Sequence, residues 1–305
     1  MVTEQRRGGI GRAGRGAPTG LRAALTAIEA DAAGAGIGPA LSRGLCWLPV
    51  AGTVLLGVIY AARSRSYYWI LLEDHPVEWG QFAFLAFAVL AAGVAAARLA
   101  RQGRYGLAAL LVLVALGSLV LAGEEISWGE RVFSLAPPAD VASINKQHEL
   151  NLHNLTLDGV SVDIVSELLE LAMGLGGAAV CLLARPRRGP LHRTWVWQVA
   201  PPLAAVPVFA VMALYQAVML SARITAAPAI LYQEWMEFGF YLGIAVTVAA
   251  VWARAAGGPA AGRRPLVVAA LLALAVTGVF ALLSARSAVL PGNVPPSLVG
   301  LYGSF

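Results

Sequence analysis

Seven long apolar stretches dominate the chain: Leu45–Ala62, Val77–Ala100, Tyr105–Gly123, Val160–Ala184, Trp195–Leu220, Ile230–Ala253 and Pro265–Ala285. Each is near the roughly 20 residues that a helix needs to cross the hydrocarbon core of a bilayer. Leu, Ala and Val fill them, with Gly in several, as suits helices that pack closely in lipid. None shows the ten-residue alternation of a transmembrane barrel. The pattern therefore predicts an all-α, polytopic transmembrane helical bundle of about seven spans. Pro201-Pro202 and Pro207 interrupt the fifth stretch, which should kink or split there. Composition agrees with this reading. Hydrophobic residues make up 58% and charged residues 13% of 305, whereas soluble proteins carry about 25% charge. Gly at 33 and Cys at 2 exclude collagen-like and disulfide-rich classes. Cys46 and Cys181 both fall inside spans and read as small apolar side chains.

The sides follow from the cations. Arg6, Arg7, Arg12, Arg15, Arg22 and Arg43 precede the first span, and Arg98, Arg101 and Arg104 follow the second. Arg185, Arg187, Arg188 and Arg193 follow the fourth, and Arg254, Arg263 and Arg264 follow the sixth. The alternate loops hold only Arg63, Arg65, Arg131, Lys146, Arg223 and Arg286. The positive-inside rule then puts the N-terminus in the cytoplasm. Residues 1–44 are expected to form a disordered basic cytoplasmic tail, with a short surface helix at Leu21–Ala33. The seven-helix domain occupies 45–305, with a long outer loop at 124–159. The first span should act as an uncleaved signal anchor, since no apolar core follows the first arginines closely. A basic tail suits anionic lipid headgroups. Without interleaved aromatics, GxGxxG or a P-loop, nucleic acid is not expected as a partner. The lipid bilayer is the expected partner, and oligomeric state is left open.

Acids distribute differently. Glu4, Glu29 and Asp31 lie in the tail. The other fourteen of the 17 lie in outer loops or outer span ends. Orientation depends little on acids, so this asymmetry needs its own cause. Asp163, Glu167 and Glu170 share one face of the fourth span. Glu234, Glu237 and Tyr241 share one face of the sixth. Glu124 and Glu125 end the third span, while Glu73, Asp74 and Glu78 precede the second. An ionisable group in lipid costs at least about 2.5–3.5 kcal/mol, so these faces should turn inward. An outward-facing polar cavity lined by spans two, three, four and six is expected.

The third-to-fourth connection concentrates the polar chemistry. It reads Gly123-Glu124-Glu125-Ile126-Ser127-Trp128-Gly129-Glu130-Arg131-Val132-Phe133, then Asn145-Lys146-Gln147-His148-Glu149-Leu150-Asn151-Leu152-His153-Asn154. With Glu73-Asp74 and Glu78-Trp79 ahead of the second span, it resembles a family of uncharacterised bacterial polytopic membrane proteins. Their signature reads G-E-E-I-S-W-G-Q-R-x-F, then N-x-Q-x-E-x-N-x-H-N. The resemblance covers residues 70–155 and implies a bacterial cytoplasmic membrane location and no particular activity. Glu130 stands where that pattern has Gln, and His148 is not part of it.

The residues themselves suggest chemistry. Glu124, Glu125, Glu149 and His153 are candidate catalytic groups, and Glu125, Glu149 and His153 a candidate ligand set for a divalent metal (Zn, Mn or Fe). His75 or His148 could add a second nitrogen. Without metal, Glu124 or Glu125 could act as general acid or base. Arg131 could pair with a carboxylate or hold a phosphate. Asn145, Gln147, Asn151 and Asn154 could orient a substrate or hydrogen-bond the loop to itself. Trp128 is an interface tryptophan or a stacking platform. Glu73, Asp74, Glu167, Glu170 and Glu237 complete the candidate binding groups. The favoured expectation is a hydrolase or group transferase acting on a lipid-linked or amphiphilic substrate. A proton-coupled transporter and a non-catalytic scaffold are the alternatives.

Overall fold

The computed structural model describes residues 20–184, 194–222, 224–257 and 259–287. The first nineteen residues of the expected tail, and the basic loop with Arg185, Arg187, Arg188, His192 and Arg193, lie outside the described residues.

Among the described residues, ten helices follow in order: α1 (Leu21–Gly34), α2 (Pro39–Leu71), α3 (Pro76–Arg101), α4 (Tyr105–Glu125), α5 (Ala139–Ile144), α6 (Asp163–Leu183), α7 (Trp195–Val199), α8 (Val206–Ala222), α9 (Ala227–Ala255) and α10 (Pro259–Ser284). Seven of these segments are long and apolar enough to cross a membrane: α2, α3, α4, α6, α8 with its preceding turn, α9 and the Arg264–Ser284 part of α10. The chain is an all-α, multi-pass membrane protein. Leu and Val side chains of α2, α4, α6 and α10 face outward, Leu55, Leu113, Leu169 and Leu271 among them. Such a surface would be a liability in water and is the normal exterior in lipid.

The central helix is α9, the most buried span, and α3 runs along it. Their contact is built from small residues. Ala88, Ala91, Ala92 and Ala95 of α3 are almost fully enclosed and share clusters with Val248, Val251 and Trp252 of α9. Their spacing of three and four puts them on one helical stripe. With no lipid-excluding driving force between apolar helices, such close backbone approach is what binds them. Further out, α4 packs along α3, and α6 packs along α8.

Several boundaries shift for physical reasons. The first span ends near Ala62 as expected, because Arg63 leaves helical geometry (φ −157°, ψ 79°); a second helical piece then runs on to Leu71. The fifth span splits at the proline pair. Helix α7 stops at Val199, a 3-10 turn spans Leu203–Ala205, and α8 restarts at Val206 with Pro207 in its first turn, where proline is tolerated. The Leu203 N–H donates to Asp31 Oδ2 (2.7 Å), and Arg254 donates to Ala200 O (2.7 Å), so the exposed backbone of the break is satisfied. Asp31 belongs to α1. The expected short helix at Leu21–Ala33 is α1, and this part of the tail is docked rather than disordered, with Ala32, Ala35 and Ile37 buried against Leu45 and Ala204. The fourth span begins at Asp163, not Val160, because Thr156–Leu157 and Val160–Ser161 pair as a small hairpin. Its Asp158-Gly159 turn has positive φ at both positions (49° and 79°), the geometry that fits strand twist.

The two ends of the bundle differ. At one, Arg98 and Gln102 donate to the last carbonyls of α9. At the other, the acidic ends of α3, α4, α6 and α9 gather, and Ser284 of α10 donates to Asp74 (2.6 Å).

Candidate functional site

The site starts from a strained turn. Immediately after α4, Ser127, Trp128 and Gly129 all have positive φ (44°, 53° and 84°). For the two non-glycine residues this left-handed backbone costs about 1–2 kcal/mol each, so other contacts must hold it. Ser127 Oγ donates to Glu149 Oε2 (2.6 Å), and Trp128 Nε1 donates to Glu124 Oε1 (2.6 Å). The Trp128 ring lies flush on Gly123, where a Cβ would come within 2.9 Å of it. The G-E-E-I-S-W-G run is therefore a unit that reverses the chain. Trp128 serves as its clasp rather than as a free stacking platform.

The reversal turns Arg131 inward, where it is 3% exposed. Its Nη1 meets Glu149 Oε1 at 2.6 Å, and its Nε pairs with Asp74. Glu73 and Glu78 stand at 3.7 and 3.9 Å from the same guanidinium. One cation thus serves four carboxylates. Burial opposes charge on Arg131, but the four acids more than offset it and hold the group above its ordinary range. Burial, then the neighbouring Glu149 carboxylate, push Glu73 well above the usual carboxylate range. Glu73 also hydrogen-bonds Glu149.

The amide side chains of 145–154 close over this centre. Asn145 Nδ2 donates to Asn151 O (2.9 Å) and Oδ1 (2.8 Å), while Asn145 Oδ1 accepts from the N–H groups of Gln147 and Glu149. Gln147 Nε2 donates to Glu73 Oε1 (2.8 Å), and Asn154 Nδ2 donates to Gln147 Oε1. Of the two roles open to these amides, the geometry supplies the second: they hydrogen-bond the loop to itself and to the acids. Glu130 joins the same fabric, accepting from Leu150 N–H (2.8 Å), and burial raises its carboxyl.

Glu124 and His153 form a pair at 3.1 Å (Oε2 to Nδ1), and the same oxygen accepts from the N–H groups of Leu152 and His153. Burial disfavours the charged imidazole, but the hydrogen bond to Glu124 together with the charges of Glu237, Glu124 and Glu234 outweighs it and raises His153 above its usual value. The expected metal set is not assembled. Glu149 is engaged by Arg131 and Ser127, and His153 by Glu124, while Glu125 faces elsewhere. The reason is local: 149 and 153 lie in a folded loop, not on one helical face. His75 bonds Glu73 O (2.9 Å), and exposed His148 bonds Ala142 O (2.8 Å), so neither supplies the second nitrogen.

Glu125 belongs to a second, deeper group. Among the described residues, carboxylate oxygens of Glu125, Glu234 and Glu237 lie within 4.8 Å of one another. Tyr241 OH donates to Glu125 Oε1 (3.0 Å), and Gln233 Nε2 donates to Glu237 Oε1 (2.6 Å). Gln81 Nε2 donates to the main-chain oxygen (2.7 Å) and Oε2 (3.2 Å) of Glu234. Glu170 hydrogen-bonds Glu237 and accepts from Gln216. Of the three acids on the α6 face, only Glu170 arrives here; Asp163 pairs with Lys146 and Ser161, and Glu167 is half-buried between them. Apart from the carboxyl–carboxyl bond of Glu170 and Glu237, the hydrogen bonds this group receives among the described residues come from amides and a phenol. The group able to carry positive charge that acts on Glu234 and Glu237 is His153.

Gln81 and Gln216 were not among the expected site residues, and Glu78, Glu234 and Tyr241 were expected on inward-turned faces but given no role of their own. A signal existed for the amides: Gln81 and Gln216 are lone polar side chains within apolar spans, and both are fully buried. No family model, curated protein or solved structure matches the chain. The likeness of residues 70–155 to the signature family rests on its motif residues.

Proposed function

We propose that this protein is a membrane enzyme, a hydrolase or group transferase, acting on a lipid-linked or amphiphilic substrate at the outer face of a bacterial cytoplasmic membrane. The outward placement follows from the arginines gathered at the opposite end. One observation carries the reading: Glu125, Glu170, Glu234 and Glu237 converge from α4, α6 and α9 without a Lys or Arg partner among the described residues. Helices α4 and α6 each pack on a different neighbour and not along one another. An amphiphile whose polar part meets these acids would approach from the lipid between α4 and α6, keeping its tail in the bilayer.

The chemistry needs a carboxyl that holds a proton beside one that does not. Crowded carboxylates away from water meet that condition, since like charges this close do not all ionise. In hydrolysis, the charged carboxylate takes a proton from water as its oxygen bonds to the substrate's electrophilic centre. The protonated carboxyl gives its proton to the departing oxygen, and the pair ends with its protons exchanged. Glu124, Glu149 and His153 act as positioning residues in this scheme, because their side chains are committed to the turn and loop.

The transporter reading is less well supported. From Phe82 to Ala97, Gly106 to Gly123, Leu171 to Leu183 and Leu242 to Ala253 there is no Asp, Glu, His, Lys or Arg. No relay continues toward the arginine end. The test is turnover of amphiphilic esters and phosphoesters by protein in lipid nanodiscs. Glu125→Gln and Glu237→Gln should each lower turnover by about 10²–10⁴-fold, and Asp158→Asn on the hairpin should leave it unchanged. Turnover that survives both substitutions removes the proposal. Solute flux into vesicles that needs Glu170, without chemical change of the solute, replaces it with transport.

A further inference from the structure

We propose that Glu125, Glu234 and Glu237, with the side-chain oxygen of Gln81, form a binding site for a hard divalent cation of the Mg²⁺, Ca²⁺ or Mn²⁺ class. The inference rests on reading this group as the reaction site and specifies what occupies it.

Two observations meet here. The first is the carboxylate group itself, with oxygens within 4.8 Å of one another. Ligands on opposite sides of an ion stand two bond lengths apart, and oxygen bonds to these ions run from about 2.0 to 2.6 Å. The separation therefore fits one ion without rearrangement. The second observation is independent of the acids. Gln81 and Gln216 are 0% exposed, yet the Oε1 of each finds no hydrogen-bond donor among the described residues. For Gln81 an amide flip does not remedy this. Its Nε2 faces the main-chain oxygen of Glu234, which only accepts. The same Nε2 reaches Glu234 Oε2 (3.2 Å), so the amide that carries the unsatisfied Oε1 is anchored on the acid group itself. A buried carbonyl-type oxygen without a donor is costly, and a cation satisfies it.

The donor set chooses the class. All of the groups are oxygens, with no thiol, and the only nearby imidazole is held by Glu124. Oxygen donors suit Mg²⁺, Ca²⁺ and Mn²⁺, whereas zinc and iron favour nitrogen or sulfur. The expected Zn or Fe preference rested on His153 as a ligand and lapses with it. Depth agrees too. Glu234 and Glu237 lie about 10–15 Å along α9 from its acidic end at 1.5 Å per residue, out of bulk water but within reach of one side. When bound, such an ion polarises a substrate oxygen or a water.

The test is Mn²⁺ binding to the purified full chain in nanodiscs, followed by electron paramagnetic resonance, with Mg²⁺ and Ca²⁺ as competitors. One Mn²⁺ per chain is expected, displaced by millimolar Mg²⁺ or Ca²⁺. Glu125→Gln and Glu237→Gln should each weaken it at least tenfold, Gln81→Met should weaken it less, and Asp158→Asn should not. Ion-dependent elevation of the melting temperature gives a second readout on the same variants. Absence of a stoichiometric site, or binding unchanged in both Glu variants, overturns the inference. Two further outcomes separate it from the functional reading. Turnover that persists in chelator without bound ion sinks the cation site and leaves the enzyme. A bound ion without turnover of any amphiphile leaves the site and sinks the enzyme.

Discussion

Around Arg131, Glu73, Asp74, Glu78 and Glu149 share one buried guanidinium. In the neighbouring group, Glu125, Glu170, Glu234 and Glu237 are met by amides, a phenol and one another, with no Lys or Arg partner among the described residues. The first arrangement explains itself. It clamps the outer loop to α3 through charge-assisted hydrogen bonds, and each member makes the others tolerable. The second has no such internal justification. Stability alone would replace crowded, unpartnered carboxylates with Gln or apolar residues. Their presence therefore points outside the protein, to a proton, an ion or a substrate. Acids at one end of a bundle are not one feature: those with a cationic partner build the framework, and those without one form the proposed site.

Removal of the guanidinium is the hardest blow to this comparison. Arg131→Met leaves four carboxylates around an apolar side chain, and breaking a buried ion pair costs about 3–5 kcal/mol. Folded protein should largely disappear, as read by monodispersity after detergent extraction. A folded Arg131→Met variant with the wild-type melting temperature would dissolve the distinction between the two groups. The next test sets one Glu→Gln change in each region side by side. Glu149→Gln loses charge-assisted bonds to Arg131 and Ser127, each worth about 1.5–3 kcal/mol, and should melt several degrees lower. Glu237→Gln relieves like-charge crowding and should melt at or above the wild-type temperature. Equal destabilisation by both changes would show that the deeper acids are structural as well.

The seven spans were legible in the sequence because hydrophobic length is a one-dimensional property. So were the break at Pro201-Pro202 and the inward turn of Glu170, Glu234 and Glu237, which follow from proline chemistry and from the cost of charge in lipid. The partition of acids between the two groups was not legible. Glu124 and Glu125 are adjacent, yet the first faces the loop and His153 while the second faces Tyr241 of α9. Neighbours on a helix point about 100° apart, and which face meets which helix is a tertiary fact. Arg131 shows the same limit. Its charge was visible, but its burial depends on a left-handed turn at Ser127 and Trp128 that no propensity favours. His153 and Glu149 invited a metal reading by residue type, and the loop's folding separates them.

That turn permits a smaller test. Gly123→Ala places a methyl group within 2.9 Å of the Trp128 ring. Overpacking of this kind costs about 1–3 kcal/mol, and it should loosen the Trp128–Glu124 bond before it unfolds the bundle. Tryptophan fluorescence of the variant should shift, and protease cleavage within 130–160 should quicken, while the helical circular dichroism stays constant. Unchanged cleavage would mean that the loop is held by Arg131 alone.

The smallest expected effect tests whether the two groups communicate. His153 lies on the line between them: its Nδ1 faces Glu124, and Asn154 donates to its Nε2 (2.9 Å) while also donating to Gln147, which donates to Glu73. With the ring neutral, Nε2 accepts from Asn154. With the ring charged, Nε2 becomes a donor, and the Asn154 amide must turn to present its oxygen, which withdraws it from Gln147. The folded state raises His153 above its ordinary value, because burial is outweighed by the Glu124 hydrogen bond together with the charges of Glu237, Glu124 and Glu234. The pair's contribution to stability is thus complete below about pH 6.5 and fades as pH rises through the higher folded value. Wild type should out-melt His153→Gln at pH 5.5, and the gap should shrink by pH 9. With the side chain 43% exposed, the gap is small. A gap that widens toward pH 9 would place a neutral ring in the fold. His153 would then belong to the loop's hydrogen-bond fabric alone and not to the charge balance of the deeper acids.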